Sequence, residues 1–97
     1  MIPVENMVAL LRRALDQPLI RGQVVAEFQA LVWSGLDPTI PENIRDVLGD
    51  LALDLDYFEV DPVVRKEDPT YFGHERLEAE IRGALRRLEQ MGVSTPP

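Results

Sequence analysis

The sequence predicts an all-α protein, an antiparallel four-helix bundle with a long loop between the third and fourth helices. In four segments, apolar residues recur at intervals of three and four, which is the period of one helix face. Proline or glycine separates these segments, and none of them shows the alternation of a half-buried strand. The first two connections are short, which favours antiparallel packing of neighbouring helices.

Length and composition limit the possible classes of protein. The chain has 97 residues, 45% of them hydrophobic, which indicates a single domain with one modest core. It contains no cysteine, so disulfides and thiolate metal sites are excluded. No run of apolar residues approaches the roughly 18 that a membrane span needs, and the order of charges near the N-terminus is wrong for a secretory signal. We therefore expect a cytoplasmic protein that does not bind membranes.

The first two helices are predicted at residues 3–16 and 20–34. Pro3 suits the first turn of a helix, Pro18 ends the first helix, and Gly35 is placed to terminate the second. The apolar face of the first helix is formed by Val4, Met7, Val8, Leu11, Ala14 and Leu15.

The third and fourth helices are predicted at residues 41–59 and 74–91. Pro41 lies near the first helical position, and the third helix should end before Pro62, since the residue preceding a proline avoids helical geometry. Residues 60–73 are predicted to be a loop, and loops of this length are usually packed down or functional. Residues 93–97 are predicted to be a frayed tail. The apolar face of the third helix is formed by Ile44, Val47, Leu48, Leu51, Leu55 and Phe58.

Most of the negative charge lies in one segment. The net charge of the chain is −7, and residues 42–61 contain seven acids and one base, a net charge of −6. Such a surface repels nucleic-acid phosphates, so direct binding to nucleic acid is not expected. It attracts a basic partner and accelerates the encounter with it.

Few residues could carry catalysis. The chain has one histidine, His74, and one lysine, Lys66, and no nucleophile lies at a suggestive spacing from a base. A glycine-rich phosphate loop and the spacing of a calcium-binding loop are both missing from the sequence. We predict no enzyme, no metal and no other cofactor. A carboxylate site assembled between helices is the remaining route to an enzyme.

The third helix carries an unbalanced acidic stripe. Glu42, Asp46, Asp50 and Asp54 recur every four positions, and like charges at this spacing destabilise a helix. In the fourth helix, acids and bases stand at spacings that allow favourable pairs. The exposed side of the third helix also holds Leu53 and Tyr57, which form either an apolar binding patch or a small core covered by the following loop.

Four acids are predicted near the end of the third helix: Asp54, Asp56, Glu59 and Asp61. The C-terminus of a helix carries a partial negative charge, so acids there are unfavourable by about 0.3–1 kcal/mol each. This disadvantage favours a partner that neutralises the cluster on binding.

The stretch from residue 48 to residue 88, LGDLALDLDYFEVDPVVRKEDPTYFGHERLEAEIRGALRRL, resembles the colicin D-type immunity proteins. These are small acidic helical proteins that inhibit transfer-RNA-cleaving bacterial toxins. The resemblance implies a four-helix antiparallel bundle that plugs the basic catalytic domain of a toxin, with carboxylates in place of the substrate phosphates. Asp56, Glu59 and Asp61 would then face the toxin. The N-terminal half matches the family only in spacing, and the stripe of acids from Glu42 to Asp54 is not part of the resemblance.

The sequence thus predicts an immunity-like protein that binds and blocks a basic toxin or ribonuclease domain. The alternative is a small helical adaptor or homodimeric regulatory protein with no toxin partner, and we expect a monomer or a weak homodimer. The predicted partner-binding residues are Asp46, Asp50, Asp54, Asp56, Glu59 and Asp61, together with Leu53 and Tyr57.

Overall fold

The structure is a computed structural model that describes residues 2–95. Among these residues there are helices and two isolated β-bridges but no strand, so the predicted all-α class is confirmed. A 3-10 turn at Pro18–Ile20 joins the first two helices. The α-helices are Val4–Asp16 (α1), Arg21–Ser34 (α2), Glu42–Leu55 (α3), Pro62–Arg65 (α4) and His74–Gln90 (α5).

The four longer helices enclose one hydrophobic core. Helix α1 contacts α2 and α5, and α3 also contacts α2 and α5. Burying each large apolar side chain of this core contributes about 1.5–3 kcal/mol. The antiparallel arrangement of these helices as a bundle stays a prediction. The largest fully buried side chains are Met7, Leu11, Phe28, Leu48, Leu51, Leu77, Ile81 and Leu88.

Helix α3 ends at Leu55, so the prediction that it continues to residue 59 is wrong. The Asp56 N–H donates to the Leu53 carbonyl at 3.2 Å, which tightens the last turn. This leaves the Ala52 carbonyl to a side chain of α2, because Gln29 Nε2 donates to it at 2.9 Å. Helix α2 therefore satisfies a backbone group that the end of α3 releases.

The chain leaves helical geometry because Phe58 pairs with Phe72. The two residues form a parallel bridge, in which the Phe72 N–H donates to the Tyr57 carbonyl at 3.0 Å and the Glu59 N–H donates to the Phe72 carbonyl at 2.9 Å. Their ring centroids are 6.4 Å apart, and the His74 ring meets the Phe58 ring edge-on at 5.3 Å. Phe58 thus packs against the core, as predicted, but from outside the helix.

The prediction that residues 60–73 form one long loop is wrong, because these residues contain the short helix α4. Asp61 is its N-cap, and Asp61 Oδ1 accepts a hydrogen bond from the Val63 N–H at 2.8 Å. Pro62 occupies the first turn, where the missing N–H costs nothing. Asp61 is therefore a helix start rather than part of the end of α3.

Two Asp-Pro-Thr sequences form the same local turn. Asp37 Oδ1 accepts hydrogen bonds from the Thr39 N–H at 2.9 Å and the Thr39 hydroxyl at 2.8 Å. Asp68 accepts the equivalent bonds from Thr70 at 2.9 and 2.8 Å. Because these bonds favour the ionised carboxylate, they lower the pKa of both aspartates below the usual 3.8.

The predicted frayed tail is wrong for residues 93–95. Gly92 has φ +89°, a left-handed conformation that ends α5 and lets the Val93 N–H bond back to its last turn. Val93 is buried in the core, and Arg12 Nη2 donates to the Thr95 carbonyl at 2.8 Å. The rest of that prediction, residues 96 and 97, lies outside the described residues.

Candidate partner-binding surface

The outer side of α3 is an acidic face, formed by Glu42, Asp46, Asp50 and Asp54. All four side chains are exposed, because the opposite side of α3 is buried in the core. Within residues 2–95, no lysine or arginine forms an ion pair with any of them, and Arg45 is the one base of this helix. The like charges at four-residue spacing are therefore left unbalanced by the rest of the described chain.

Two apolar side chains adjoin the acidic face. Leu53 is 60% exposed and Tyr57 is 46% exposed, so residues 60–73 do not cover them. Val60 and Val63, which follow in the chain, are also exposed, at 55% and 69%. Of the two interpretations that the sequence left open for Leu53 and Tyr57, the small covered core is therefore wrong.

The four acids predicted at the end of the third helix separate into two pairs. Asp54 lies in the last turn of α3 and Asp56 is its C-cap residue, so the unfavourable helix-end electrostatics apply to both. Glu59 and Asp61 lie beyond the helix and bond to backbone groups. Glu59 Oε1 accepts from the Asp61 N–H at 3.1 Å, and Asp61 caps α4. For Glu59 and Asp61, the helix-end argument is wrong.

A groove of about 300 Å³ brings Asp56 and Glu59 together beside α2. Apart from Gln29, its α2 side is built from small or apolar residues, and a Cβ placed on Gly22 would meet nothing within 4 Å. Its other side is the chain that follows α3, from Leu55 to Val60. The lining residues are Gly22, Val25, Ala26, Gln29, Leu55, Asp56, Phe58, Glu59 and Val60.

Arg21 is a buried charge that the sequence analysis missed. Its side chain is 3% exposed, and its guanidinium donates to the Ala14 carbonyl at 2.6 Å and to the Leu15 carbonyl at 3.1 Å. A third contact joins Arg21 Nη1 to His74 Nδ1 at 2.9 Å, and Glu78 lies 3.8 Å from Nη2. Because a guanidinium only donates, His74 Nδ1 is the acceptor. These contacts tie the end of α1 to the start of α5.

A signal for Arg21 is present in the sequence. Arg21 lies three, four and seven positions before Val24, Val25 and Phe28, the spacing of one helix face. A lone charge at that position in an apolar face predicts a buried residue with several hydrogen-bond partners. The contact also gives His74 a structural role at the start of α5.

A second hollow, of about 490 Å³, lies beside the start of α5 and is lined in part by Arg65, His74 and Arg76. Neither this hollow nor the groove has a serine, threonine or lysine in its lining. Within residues 2–95, no three histidine, aspartate or glutamate side chains are grouped so that they could hold a metal ion. No helix in this part of the chain combines the length and the apolar character that crossing a membrane requires.

No protein-family model matches this chain, and neither a curated protein nor a solved structure matches it. The resemblance to colicin D-type immunity proteins is therefore carried by residues 48–88 of the sequence alone.

Proposed function

We propose that this chain is an immunity-like cytoplasmic protein, an antiparallel four-helix bundle that binds and blocks the basic catalytic domain of a nuclease toxin. The observation that carries the proposal is the acidic face of α3, whose four exposed carboxylates have no cationic partner within residues 2–95. Carboxylates on this surface would take the positions of RNA phosphates in the toxin.

The charge of the acidic face suits such a partner. A domain that cleaves RNA holds its substrate with lysine and arginine side chains, which release counterions when they bind phosphates. A carboxylate face complements that surface, so it steers the encounter and excludes partners of the wrong sign.

The apolar residues next to the acids supply what charge alone does not. Exposed ion pairs contribute only about 0–1 kcal/mol each, because water and salt screen them. Tyr57 and Leu53 are exposed side chains that a partner could bury, and buried aromatic anchors dominate the affinity of many interfaces. The proposed interface therefore combines an apolar centre with an acidic surround.

The predicted acids do not contribute equally to the proposed interface. Asp46, Asp50, Asp54 and Asp56 are exposed, and their carboxylates accept no hydrogen bond from the described residues, so both oxygens of each are available to a partner. Glu59 and Asp61 each use one oxygen on a backbone N–H, which leaves one for a partner. We expect the first four to matter more for binding.

The experiment is co-purification with the basic C-terminal domain of a toxin encoded by a neighbouring reading frame. At low salt, where screening is weakest, we expect a stable complex whose affinity falls as salt is added. The variant Asp46→Asn/Asp50→Asn should weaken binding at least tenfold. The control Glu5→Gln/Glu27→Gln removes the same charge from exposed positions elsewhere and should have a smaller effect. A failure of the two purified proteins to associate at low salt would falsify the proposal.

A homodimeric regulatory protein is the second candidate, because Leu53 and Tyr57 form an exposed apolar pair. A two-fold dimer places the same surface of each copy against the other, so it would also set two acidic faces together. That repulsion disfavours a dimer through α3. Sedimentation at high protein concentration decides between the candidates, since a monomer supports the first and a dimer the second.

A further inference from the structure

We propose that the groove between α2 and the chain that follows α3 accepts one arginine or lysine side chain of the partner. The aliphatic stem would lie on the apolar side of the groove, and the cationic group would lie at Asp56 and Glu59. This inference rests on the proposed function, because it assumes a basic partner. It adds a defined anchor point on the α2 side, built from residues that are not part of the acidic face.

The volume of the groove suits a single side chain. Pockets for small-molecule ligands span roughly 300–1,000 Å³, and this groove, at about 300 Å³, lies at the lower limit. Little side-chain volume projects into the groove from α2, because Gly22 has no side chain and Ala26 contributes one methyl group. The space that a larger residue at position 22 would fill is open, since a Cβ there meets nothing within 4 Å.

The lining suits the two parts of a basic side chain. Lysine and arginine bury their aliphatic stems on apolar surface and keep the charged group at its edge. The half-buried Phe58 and the exposed Val60 supply most of the accessible apolar surface. Val25 and Leu55 lie behind them and belong to the core, which holds this wall in place.

The charges of the groove are all of one sign. Asp56 and Glu59 are its two ionisable residues, and no base lines it. Within residues 2–95, neither of them has a lysine or arginine within ion-pair distance. Gln29 adds a neutral acceptor, because its Nε2 donates to the Ala52 carbonyl and its Oε1 accepts no hydrogen bond from these residues. A cation from outside would therefore meet three side-chain acceptors.

The test is a nuclear magnetic resonance titration with the peptide acetyl-Ala-Arg-Ala-amide. We expect saturable shifts of the backbone amides of Gly22, Ala26 and Glu59. The same peptide with citrulline in place of arginine keeps the shape and loses the charge, so it should bind at least tenfold more weakly. Absence of shifts at these amides, or equal affinity for the two peptides, overturns the inference.

The matched variants are Gly22→Leu, which fills the groove, and Gly83→Leu, which adds the same side chain to α5. Neither should disturb the fold, since an added Cβ meets nothing closer than 3.9 Å at either glycine and leucine is the better helix former. Gly22→Leu should weaken binding of the arginine peptide at least tenfold, and Gly83→Leu should leave this binding unchanged. Should Gly22→Leu misfold, Ala26→Leu fills the groove one turn further along α2. Unchanged binding in the folded groove variant overturns the inference.

Failure of the groove and failure of the proposed function are distinguishable. Suppose that a toxin domain binds the native chain, that Asp46→Asn/Asp50→Asn weakens this binding and that Gly22→Leu leaves it unchanged. The proposed function then stands, and the inference about the groove fails. If no toxin domain binds, the proposed function fails, whereas the peptide titration still decides whether the groove takes an arginine.

Discussion

Helices α3 and α5 differ in whether their charged side chains form ion pairs. In α5, Arg76 Nε lies 3.2 Å from Glu80 Oε1, and Arg82 Nη2 lies 3.7 Å from Glu78 Oε1, both at the favourable four-residue spacing. Glu78 also faces the buried Arg21 of α2, at 3.8 Å. In α3, acids recur at the same spacing, and no ion pair is formed within residues 2–95.

The difference separates charges that the fold explains from charges that it does not. The ion pairs of α5 are contacts within one molecule, so their contribution to stability is enough to explain them. The acidic face of α3 makes the helix slightly less stable, and its carboxylates form no ion pair within residues 2–95. Under the proposed function a partner explains this face, and substitutions in the two groups of charges should have opposite effects on stability.

The largest expected effect is on Arg21, the charge most deeply integrated in the fold. Arg21→Met should lower the free energy of unfolding by about 3 kcal/mol, because it leaves the Ala14 and Leu15 carbonyls and His74 without their donor. Urea denaturation measures the loss. The control is Arg45→Met, an exposed base of α3 without an ion pair, for which we expect less than about 0.5 kcal/mol. Equal losses in the two variants would contradict the comparison.

The next effect separates two neighbouring acids. Asp61→Ala removes the N-cap of α4 and should cost about 1 kcal/mol, whereas Asp56→Ala removes an acid from the end of α3 and should be neutral or stabilising by a few tenths of a kcal/mol. Amide hydrogen exchange at Val63, alongside urea denaturation, shows whether the loss is local to α4. If Asp56→Ala is the more damaging substitution, the division of these acids into two pairs is wrong.

A smaller effect tests the comparison directly. Asp46→Asn/Asp50→Asn in α3 should raise the free energy of unfolding by about 0.2–0.5 kcal/mol, since it removes a like-charge pair. Glu78→Gln/Glu80→Gln in α5 removes the same charge and should lower the free energy by a similar amount or more, because it breaks three ion contacts. Thermal unfolding at low salt measures both, and effects of the same sign would break the comparison.

The smallest effect concerns the two Asp-Pro-Thr turns, in which hydrogen bonds within the fold account for each aspartate. The pKa values of Asp37 and Asp68 are lowered in the folded state. Their hydrogen bonds therefore stabilise the fold at pH values above the usual pKa of 3.8, and this stabilisation is lost as the pH falls through the lowered pKa. Carboxyl titration by nuclear magnetic resonance should place both midpoints below 3.8. Thr39→Val should raise the pKa of Asp37 and leave that of Asp68 unchanged, so a shift of both midpoints would contradict the local cause.

Periodicity and punctuation were sufficient to predict the four long helices, with most bounds within one residue of those in the structure. The end of α3 was not predictable in this way, because it depends on the pairing of Phe58 with Phe72, which are distant in sequence. The short helix α4 was predictable from Asp61 followed by Pro62, an N-cap residue before a proline at the first position. The predicted helix end at the same proline masked that signal.

The candidate site was only partly predictable. Spacing alone shows that the acids from Glu42 to Asp54 share one side of a helix. It does not show whether a later segment covers Leu53 and Tyr57, because that depends on how the chain between α3 and α5 packs. The groove was also beyond the sequence, since its two sides come from α2 and from the residues after α3.

The pairing of Phe58 with Phe72 has a consequence for how this protein can be varied. The bridge holds Phe58 and Phe72 side by side against the core, so the segment from Val60 to Tyr71 leaves and rejoins the core at neighbouring points. We therefore expect an insertion between the exposed residues Lys66 and Glu67 to leave the packing of α3 against α5 unchanged. Its entropic cost should be small, because the cost of closing a loop grows slowly with the length of the loop.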